Sequence, residues 1–357
     1  MLQEIMNFNP DYRVAIRTGL TQLQAALVAD ETIPDLRLPA PDYADWAATR
    51  EQFPGATWLG TSWFYAEAFL FRYVMDVVRW FETGRDPFTH KKSVETSSQA
   101  LWHTLEEALE TRVLNPEERL GALLEFDLWG NRIDLSLAIA AAHGTKADDG
   151  DLLVDDTTKV VPHLMGASGQ VDIICDNFGT EFAMDCVLTD ALLEKGHDVL
   201  LHVKMHPYFV SDTTAADVLP FWQLLVAHGG AAGALGERLL AAFEIGRLRF
   251  VPDFFWNSAR FMWEMPDYLR RGFASAALVI VKGDLNYRRL LGDYLFDTTT
   301  PFDQVVSYFP APLVSLRTLK SDTIVGLPAG LAQTLDARDV NWRTNGKRGL
   351  IQSRLRW

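Results

Sequence analysis

The sequence has little cysteine and no long apolar run. Its two cysteines, Cys175 and Cys186, are too few for a disulfide framework and lack CxxC spacing, which is typical of a reducing compartment. The longest apolar runs, such as residues 276–281, are far shorter than the roughly 18 residues that cross a bilayer. Glu4 stands where a signal peptide has basic residues. We therefore expect a cytoplasmic protein with no membrane partner.

Positive charge is scarce as well. The 33 Lys and Arg residues face 47 Asp and Glu residues, so the formal net charge is -14. This field would repel a polyphosphate backbone, which argues against a nucleic-acid partner. A few local cations, or one bound metal ion, can still attract a small anion to a cleft.

Several familiar fingerprints are missing from the sequence. It contains no GxGxxG, no P-loop and no GxSxG elbow. Phe178, two residues after Asp176, stands where the nucleophile pair of a haloacid-type phosphatase has its second aspartate. The usual routes to dinucleotide binding, ATP binding and serine or haloacid-type hydrolysis therefore lack their sequence signals.

What remains is the pattern of a globular protein with 48% hydrophobic and 22% charged residues. At about 100–200 residues per domain, two domains are expected. Helical spacing over 58–82, 94–113 and 116–142 predicts a helical domain over residues 1–150, with Asn115 as an N-cap. The Gly, Lys and Asp content of residues 143–151 predicts a loop at the boundary.

Beyond this boundary, short apolar runs alternate with helix-length segments. The runs lie at 171–175, 199–203, 208–210, 247–251, 277–281 and 312–316. Such alternation predicts a layered α/β domain with a largely parallel sheet over residues 151–357.

Polar groups follow four of these predicted strands. The carboxyl ends of the strands in an open α/β sheet line one crevice, so we expect these groups to converge. They are Asp176 and Asn177, then Asp212, then Lys282, Gly283 and Asp284, and finally Arg317 and Lys320.

The first two groups supply only oxygen ligands. Asp176, Asn177 and Asp212 suit a hard divalent cation such as Mg²⁺ or Mn²⁺, although each could simply cap a following helix. Gly179 permits a tight turn, and the first N–H groups of the next helix, which runs to about Lys195, are expected to be open to an anion.

The remaining groups are basic or lie in apolar helices. Lys282 with Gly283, and Arg317 with Lys320, offer the cations and close backbone that bind a phosphoryl group, or else form solvated turns. Polar residues such as Asn131, Asp134 and Glu67 in apolar helices need partners, so they could equally be internal ties.

Taken together, five ordered motifs resemble the damage-control phosphatase family, formerly domain of unknown function 89. They are GNRIDLS at 130–136, DNxGxE at 176–181, FVSDTT at 209–214, KGDLNYR at 282–288 and RTLK at 317–320. The Arg-Thr-x-Lys signature is similar to that of subgroup III, and the likeness runs from about residue 58 to residue 352.

The resemblance implies a three-layer α/β/α Rossmann-like sandwich with a helical N-terminal domain that contributes to the pocket. It implies a metal-dependent phosphatase acting on sugar phosphates, such as fructose 1-phosphate or fructose 6-phosphate. Asp176, Asn177 and Asp212 would be catalytic and hold Mn²⁺, Co²⁺, Ni²⁺ or Mg²⁺. The substrate-binding residues would be Ser62, Trp63, Glu67, Asn131, Asp134, Glu181, Lys282, Gly283, Asp284, Leu285, Asn286, Tyr287, Arg288, Arg317 and Lys320.

The sequence leaves several alternatives open. Asp176 could attack phosphorus or only hold the metal ion. The subgroup is also credited with S-adenosylmethionine-dependent carboxyl methyl transfer, and a non-catalytic sugar-phosphate sensor would need similar residues. We expect a monomer whose partner is a small phosphorylated substrate.

Overall fold

The fold is seen in a computed structural model, which describes residues 1–130 and 150–355. In this part of the chain, seven strands form one sheet in the order β1-β7-β6-β5-β2-β3-β4. The strands are β1 (Leu152–Asp155), β2 (Gln170–Ile174), β3 (Asp198–Lys204), β4 (Leu248–Asp253), β5 (Leu278–Lys282), β6 (Leu313–Thr318) and β7 (Gly349–Arg354). Strands β2 to β6 are parallel, and β7 runs antiparallel to β6.

Helices precede the sheet and connect its strands. They are α1 (Leu2–Phe8), α2 (Val14–Val28), α3 (Tyr43–Glu51), α4 (Trp63–Val77), α5 (Trp80–Thr83), α6 (Thr89–Thr96), α7 (Gln99–Glu110), α8 (Pro116–Gly130), α9 (Thr157–Gly166), α10 (Thr180–Lys195), α11 (Ala215–His228), α12 (Gly230–Glu244), α13 (Asp267–Phe273), α14 (Gly283–Leu291), α15 (Phe302–Val305) and α16 (Leu331–Arg338). No helix among the described residues is long and apolar enough to cross a membrane.

Both faces of the sheet are buried, which explains its continuous apolar strands. Successive residues of β5 alternate between two cores: Leu278 and Ile280 join one, while Val279 and Val281 join the other. The first core also contains α7, α8 and α10, and the second contains α13, α14 and α16. The sheet therefore lies between two layers of helices, and the fold is a three-layer α/β/α sandwich.

A third core lies in the helical N-terminal region. It is built around α4, whose aromatic side chains pack on α1 and α2, and it also receives Tyr208, Val210 and Leu285 from beyond residue 150. The helices over 99–130 pack instead against the sheet. The domain boundary near residue 150 therefore stays a prediction, whereas the α/β fold with a helical N-terminal region is confirmed.

Most predicted elements are present, with informative exceptions. The side chain of Asn115 accepts a hydrogen bond from Glu118 N–H, which confirms its capping role at α8. The predicted strand at 208–210 is wrong, because these residues form a tight turn with positive φ at two of them. Strands β1 and β7 were not predicted. The helix over 58–82 breaks at Arg79, whose φ is 60°.

A buried ion pair inside the N-terminal region gives a test of this packing. Arg72 donates to the two carboxylate oxygens of Asp42 at 2.6 and 2.9 Å, and both side chains are buried. Arg72→Met should lower the free energy of unfolding by about 3–5 kcal/mol, because it leaves Asp42 charged and unpaired in the interior.

Urea denaturation measures this loss, and Arg79→Met is the matched control. Arg79 pairs with Glu82 at the surface, where such a pair contributes about 0–1 kcal/mol. Equal losses in the two variants would contradict the buried role of Arg72.

Candidate metal centre and active site

The candidate site lies where the order of the sheet reverses. The chain runs from β2 to β3 and β4 on one side, then returns to place β5 and β6 on the other. A crevice opens at such a switch point beyond the carboxyl ends of the strands. Asp176 follows β2 and Gly283 follows β5, and a Cβ added to Gly283 would lie 1.9 Å from Asp176 Oδ2. The two segments therefore touch.

The Asp212 segment joins the Asp176 segment through backbone hydrogen bonds. Asn177 and Asp212 form an antiparallel β-bridge. On either side of it, Thr213 N–H donates to the carbonyl of Asp176 at 2.8 Å, and Phe178 N–H donates to that of Ser211 at 2.7 Å. The structure thus brings Asp176, Asn177 and Asp212 together although 36 positions separate the first from the last.

A strained turn carries Asp212 to this position. Phe209 and Val210 have φ values of 43° and 71°, and Ser211 N–H donates to the carbonyl of Phe209 at 2.9 Å. A γ-turn of this hand is costly, the more so with a β-branched residue at its centre. The ring of Phe209 stacks on Phe71 of α4 at 4.6 Å. The N-terminal core therefore holds the turn in place.

The amide of Asn177 is held on both sides. Its Nδ2 donates to Glu181 Oε2 at 2.9 Å, and its Oδ1 accepts a hydrogen bond from Ser211 Oγ at 2.8 Å. These partners fix which end of the amide is oxygen. Glu181, predicted to bind substrate, thus orients Asn177 in the structure.

The site is a buried region with an excess of acids. Burial raises the pKa of Asp176 well above its usual value, and the charges of Glu181 and Asp212 raise it further, while Lys204 and Lys320 partly oppose this. A bound cation would relieve the same repulsion.

The donor set fits a hard divalent cation. In residues 1–130 and 150–355, no three His, Cys, Asp or Glu side chains are grouped to hold a metal ion. The candidate set instead combines the carboxylates of Asp176 and Asp212 with the amide oxygen of Asn177. Oxygen donors of this kind suit Mg²⁺ or Mn²⁺.

Lys282 lies beneath the site rather than at its surface. Its fully buried ammonium group is 2.7 Å from Asp127 Oδ1, 2.8 Å from Asp185 Oδ1 and 3.4 Å from Glu181 Oε1. Burial raises the pKa of Asp127 well above its usual value, although Lys282 lowers it in part. Contact between Lys282 and a phosphoryl group, as predicted, would require these bonds to break.

Arg317 is similarly engaged within the protein. Its guanidinium is fully buried, donates to Asp284 Oδ1 at 2.7 Å and to two oxygens of Ser321, and stacks on Tyr287. The same Asp284 oxygen accepts the backbone N–H of Lys320 at 3.1 Å. Burial favours neutral Asp284, but Arg317, Arg288 and the Lys320 N–H together outweigh it and lower the pKa of Asp284. Asp284 and Arg317 therefore hold the loop that presents Lys320.

The N-terminal region reaches the site through Glu67. Its Oε2 accepts a hydrogen bond from Arg288 Nη1 at 2.8 Å, and Arg288 also bonds to Asp293. Burial raises the pKa of Glu67, and Arg288 opposes this. Ser62 and Trp63, at the start of α4, are exposed.

The remaining residues of the predicted substrate segment have other partners. Leu285 packs in the N-terminal core, and Tyr287 donates to Gln352 Oε1 at 2.9 Å. Asn286 Nδ2 donates to the carbonyls of Lys282 and Cys175. Asn131 and Asp134 lie outside the described residues.

The predicted anion site at the start of α10 is closed by the protein. Thr180 N–H donates to Glu95 Oε1 at 2.7 Å, and a Cβ on Gly179 would lie 2.1 Å from the Glu95 carboxyl carbon. The expectation of open N–H groups at this helix start is therefore wrong for Thr180. A carboxylate from α6 occupies the place where an anion was expected.

Sequence reasoning missed several residues that surround the site, namely Glu95, Asp127, Asp185, Lys204 and Ser211. Asp127 carried a usable signal, because a carboxylate between Phe126 and Leu128 in an apolar helix needs a cationic partner. Lys204 carried another, since it ends an apolar strand on the same sheet edge.

Comparison with known proteins shows which family this chain is similar to. A family model described as the damage-control phosphatase ARMT1-like domain matches residues 5–335. The chain belongs to this family. Proteins named damage-control phosphatase ARMT1 from Danio rerio and Mus musculus are each 31% identical to it, with 93% and 83% of this chain and 84% and 74% of theirs aligned. The resemblance drawn from the motifs is confirmed.

A further relative and one solved structure are also similar to this chain. Damage-control phosphatase ARMT1 from Rattus norvegicus is 32% identical over 83% of this chain and 74% of its own. A crystal structure of a DUF89 family protein from Pyrococcus horikoshii aligns at 16% identity with a TM-score of 0.49, covering 95% of this chain and 97% of that one. The relatives' names support a phosphatase, while the substrate, the metal ion and the compartment stay predictions.

Gly283 offers a direct test of the site in this damage-control phosphatase family member. Gly283→Ala places a methyl group against Asp176, so it should reduce phosphate release from a phosphomonoester at least a hundredfold. Gly330→Ala is the control, because its φ of 81° nearly equals the 79° of Gly283 but no atom lies within 4 Å of the added Cβ.

The left-handed backbone should cost both variants about 1–2 kcal/mol of stability, and the contact with Asp176 should add to that loss in Gly283→Ala. Thermal denaturation measures that loss, and a phosphate-release assay measures turnover. Comparable turnover in the two variants would show that Gly283 does not set the position of Asp176.

Proposed function

We propose that this protein is a metal-dependent phosphomonoester hydrolase that acts on small phosphometabolites, with sugar phosphates such as fructose 1-phosphate and fructose 6-phosphate as expected substrates. The observation that carries the proposal is the meeting of Asp176, Asn177 and Asp212 at one switch-point crevice. Membership of a damage-control phosphatase family supports the reaction class.

The metal ligands would be the carboxylates of Asp176 and Asp212 and the Oδ1 of Asn177. Mn²⁺, Co²⁺, Ni²⁺ or Mg²⁺ would each suit these oxygens. When bound, such a cation polarises a phosphoryl oxygen and lowers the pKa of a coordinated water molecule. Ser211 donates to the Oδ1 of Asn177 and Glu181 accepts from its Nδ2, so the amide is held in one orientation, and a bound cation would share Oδ1 with Ser211.

Lys320 is our candidate for the group that binds the phosphoryl oxygens. It lies near enough to Asp176 and Glu181 to oppose in part the rise that burial causes in the pKa of both. Its backbone N–H is held by Asp284, which Arg317 anchors in turn, and a loop fixed in this way would position the ammonium group before substrate arrives. Lys282 would act on the site only through its contacts with Glu181 and Asp185. Arg288 and Glu67, which are hydrogen-bonded to each other, would border the sugar.

Asp176 has two possible roles in the reaction. It could attack phosphorus and release the alcohol, leaving a phosphoaspartate for water to cleave, or it could only hold the metal ion while water attacks. Rapid acid quenching followed by mass spectrometry separates these roles. A phosphorylated peptide containing Asp176 identifies it as the nucleophile, and an unmodified peptide at full turnover identifies it as a ligand.

Replacement of either carboxylate should abolish metal-dependent turnover. Asp176→Ala and Asp212→Ala each remove an oxygen ligand, so we expect phosphate release to fall at least a thousandfold while circular dichroism shows a folded protein. Asp253→Ala is the matched control. Asp253 also ends a strand of this sheet, but it accepts hydrogen bonds from Phe255 N–H and the Tyr268 hydroxyl. Full activity in either site variant would refute the proposed centre.

Lys320→Met should raise KM more than it lowers kcat, because it removes a charge that binds the phosphate of the ground state as well as of the transition state. Lys159→Met, which changes a lysine on α9, should leave both parameters unchanged. Steady-state kinetics on the best substrate would give the two constants. A fall in kcat alone would mean that Lys320 serves the chemical step only.

The substrate class is tested by a phosphate-release screen of hexose, pentose and nucleotide monophosphates. Each compound is assayed with Mn²⁺, Co²⁺, Ni²⁺ and Mg²⁺ in turn and with EDTA as the control. Activity on sugar phosphates that EDTA removes supports the proposal. Undiminished activity in EDTA, or no activity on any monoester, would overturn it.

A further inference from the structure

Lys204 is a buried lysine that is neither a proposed metal ligand nor a proposed phosphate-binding residue. It is the last residue of β3, and its ammonium nitrogen lies 3.2 Å from Asp212 Oδ2. Its backbone N–H donates to the carbonyl of Thr213 at 2.9 Å. Both side chains are almost completely buried, at 1% and 2% exposure. The strand end and the Asp212 segment are thus fastened together around this ion pair.

The position of this ammonium group is unusual for a structural ion pair. In the part of the chain that the structure describes, Asp212 is its single ion-pair partner, and no hydrogen bond of normal geometry satisfies its nitrogen. By contrast, the buried Lys92 and Lys282 each contact two or more carboxylates. An ammonium group this poorly satisfied is costly to bury, so its charge is expected to serve the acids around it.

The charge of Lys204 and that of a bound metal ion would act on the same carboxylate. At short range in a buried site, two cations repel each other strongly, and each stabilises an adjacent anion. In the metal-free protein, the ammonium group offsets the repulsion between Asp212 and Asp176. In the metal-bound protein, the same group would oppose the bound cation.

We propose that Lys204 is a positioning residue, the internal counter-ion of Asp212, which keeps the carboxylate pair assembled without metal and weakens divalent-cation binding in return. This inference rests on the proposed function, because it takes Asp176, Asn177 and Asp212 as the metal ligands. Lys204 needs no contact with substrate for this role. Its effect should therefore be visible in metal binding without any turnover.

The test compares metal-free wild type and Lys204→Met by calorimetric titration with Mn²⁺ and by thermal denaturation. Without the ammonium group, the dissociation constant for Mn²⁺ should fall at least tenfold. The metal-free variant should unfold at a lower temperature than wild type, and saturating Mn²⁺ should restore most of that loss by binding the folded state.

Two control variants sharpen the comparison. Lys92→Met also removes a buried ammonium group, but the partners of Lys92 are Asp86 and Asp217, so its Mn²⁺ affinity should stay within about twofold, or about 0.4 kcal/mol, of wild type. Lys204→Arg keeps the charge and should bind Mn²⁺ like wild type.

Each outcome separates this inference from the proposed function. Wild type that binds no divalent cation would overturn both. Wild type that binds Mn²⁺, together with Lys204→Met that binds it equally or more weakly, would overturn only the role of Lys204. If Lys204→Met folds only when refolded with Mn²⁺, the counter-ion role is supported, and failure to fold even with saturating Mn²⁺ would refute it.

Discussion

The site depends on a surplus of buried carboxylates over buried ammonium groups. Asp127, Asp176, Glu181, Asp185 and Asp212 are shielded from water, and within residues 1–130 and 150–355 the lysines buried among them are Lys204 and Lys282. Ionised acids cannot be packed together in this way without compensating charge. The two buried lysines supply part of that positive charge. The negative charge that they leave uncompensated explains why a divalent cation suits the crevice.

The sequence predicts the part of this arrangement that depends on strands and on the polar residues directly after them. Strands β2 and β5 read as continuous apolar runs because helices cover both faces of the sheet, so the polar residues after them stand out. Strand β7 gives no such signal. It contains Gln352, Ser353 and Arg354, and its pairing is decided by the neighbouring β6 rather than by its own composition.

Partners distant along the chain are beyond the reach of pattern reasoning. A lysine after a strand is equally compatible with a phosphate ligand and with a buried tie. Only the packing of α8 and α10 against the sheet places Asp127 and Asp185, 155 and 97 positions away, around Lys282. Likewise, the start of α10 has the composition of an anion site, but Glu95 from 85 positions upstream already occupies it.

The stacked rings of Phe71 and Phe209 connect the helical N-terminal region to the turn that carries Asp212. A γ-turn with Val210 at φ 71° is strained, and the aromatic stack is one of the contacts that hold it, beside the hydrogen bonds to the Asp176 segment. Loosening the N-terminal helices would remove the aromatic support from this strained turn, and the hydrogen bonds to the Asp176 segment would then carry the strain alone. The geometry of the candidate metal centre is thereby tied to a helical region whose described residues, 1–130, contribute no strand to the sheet.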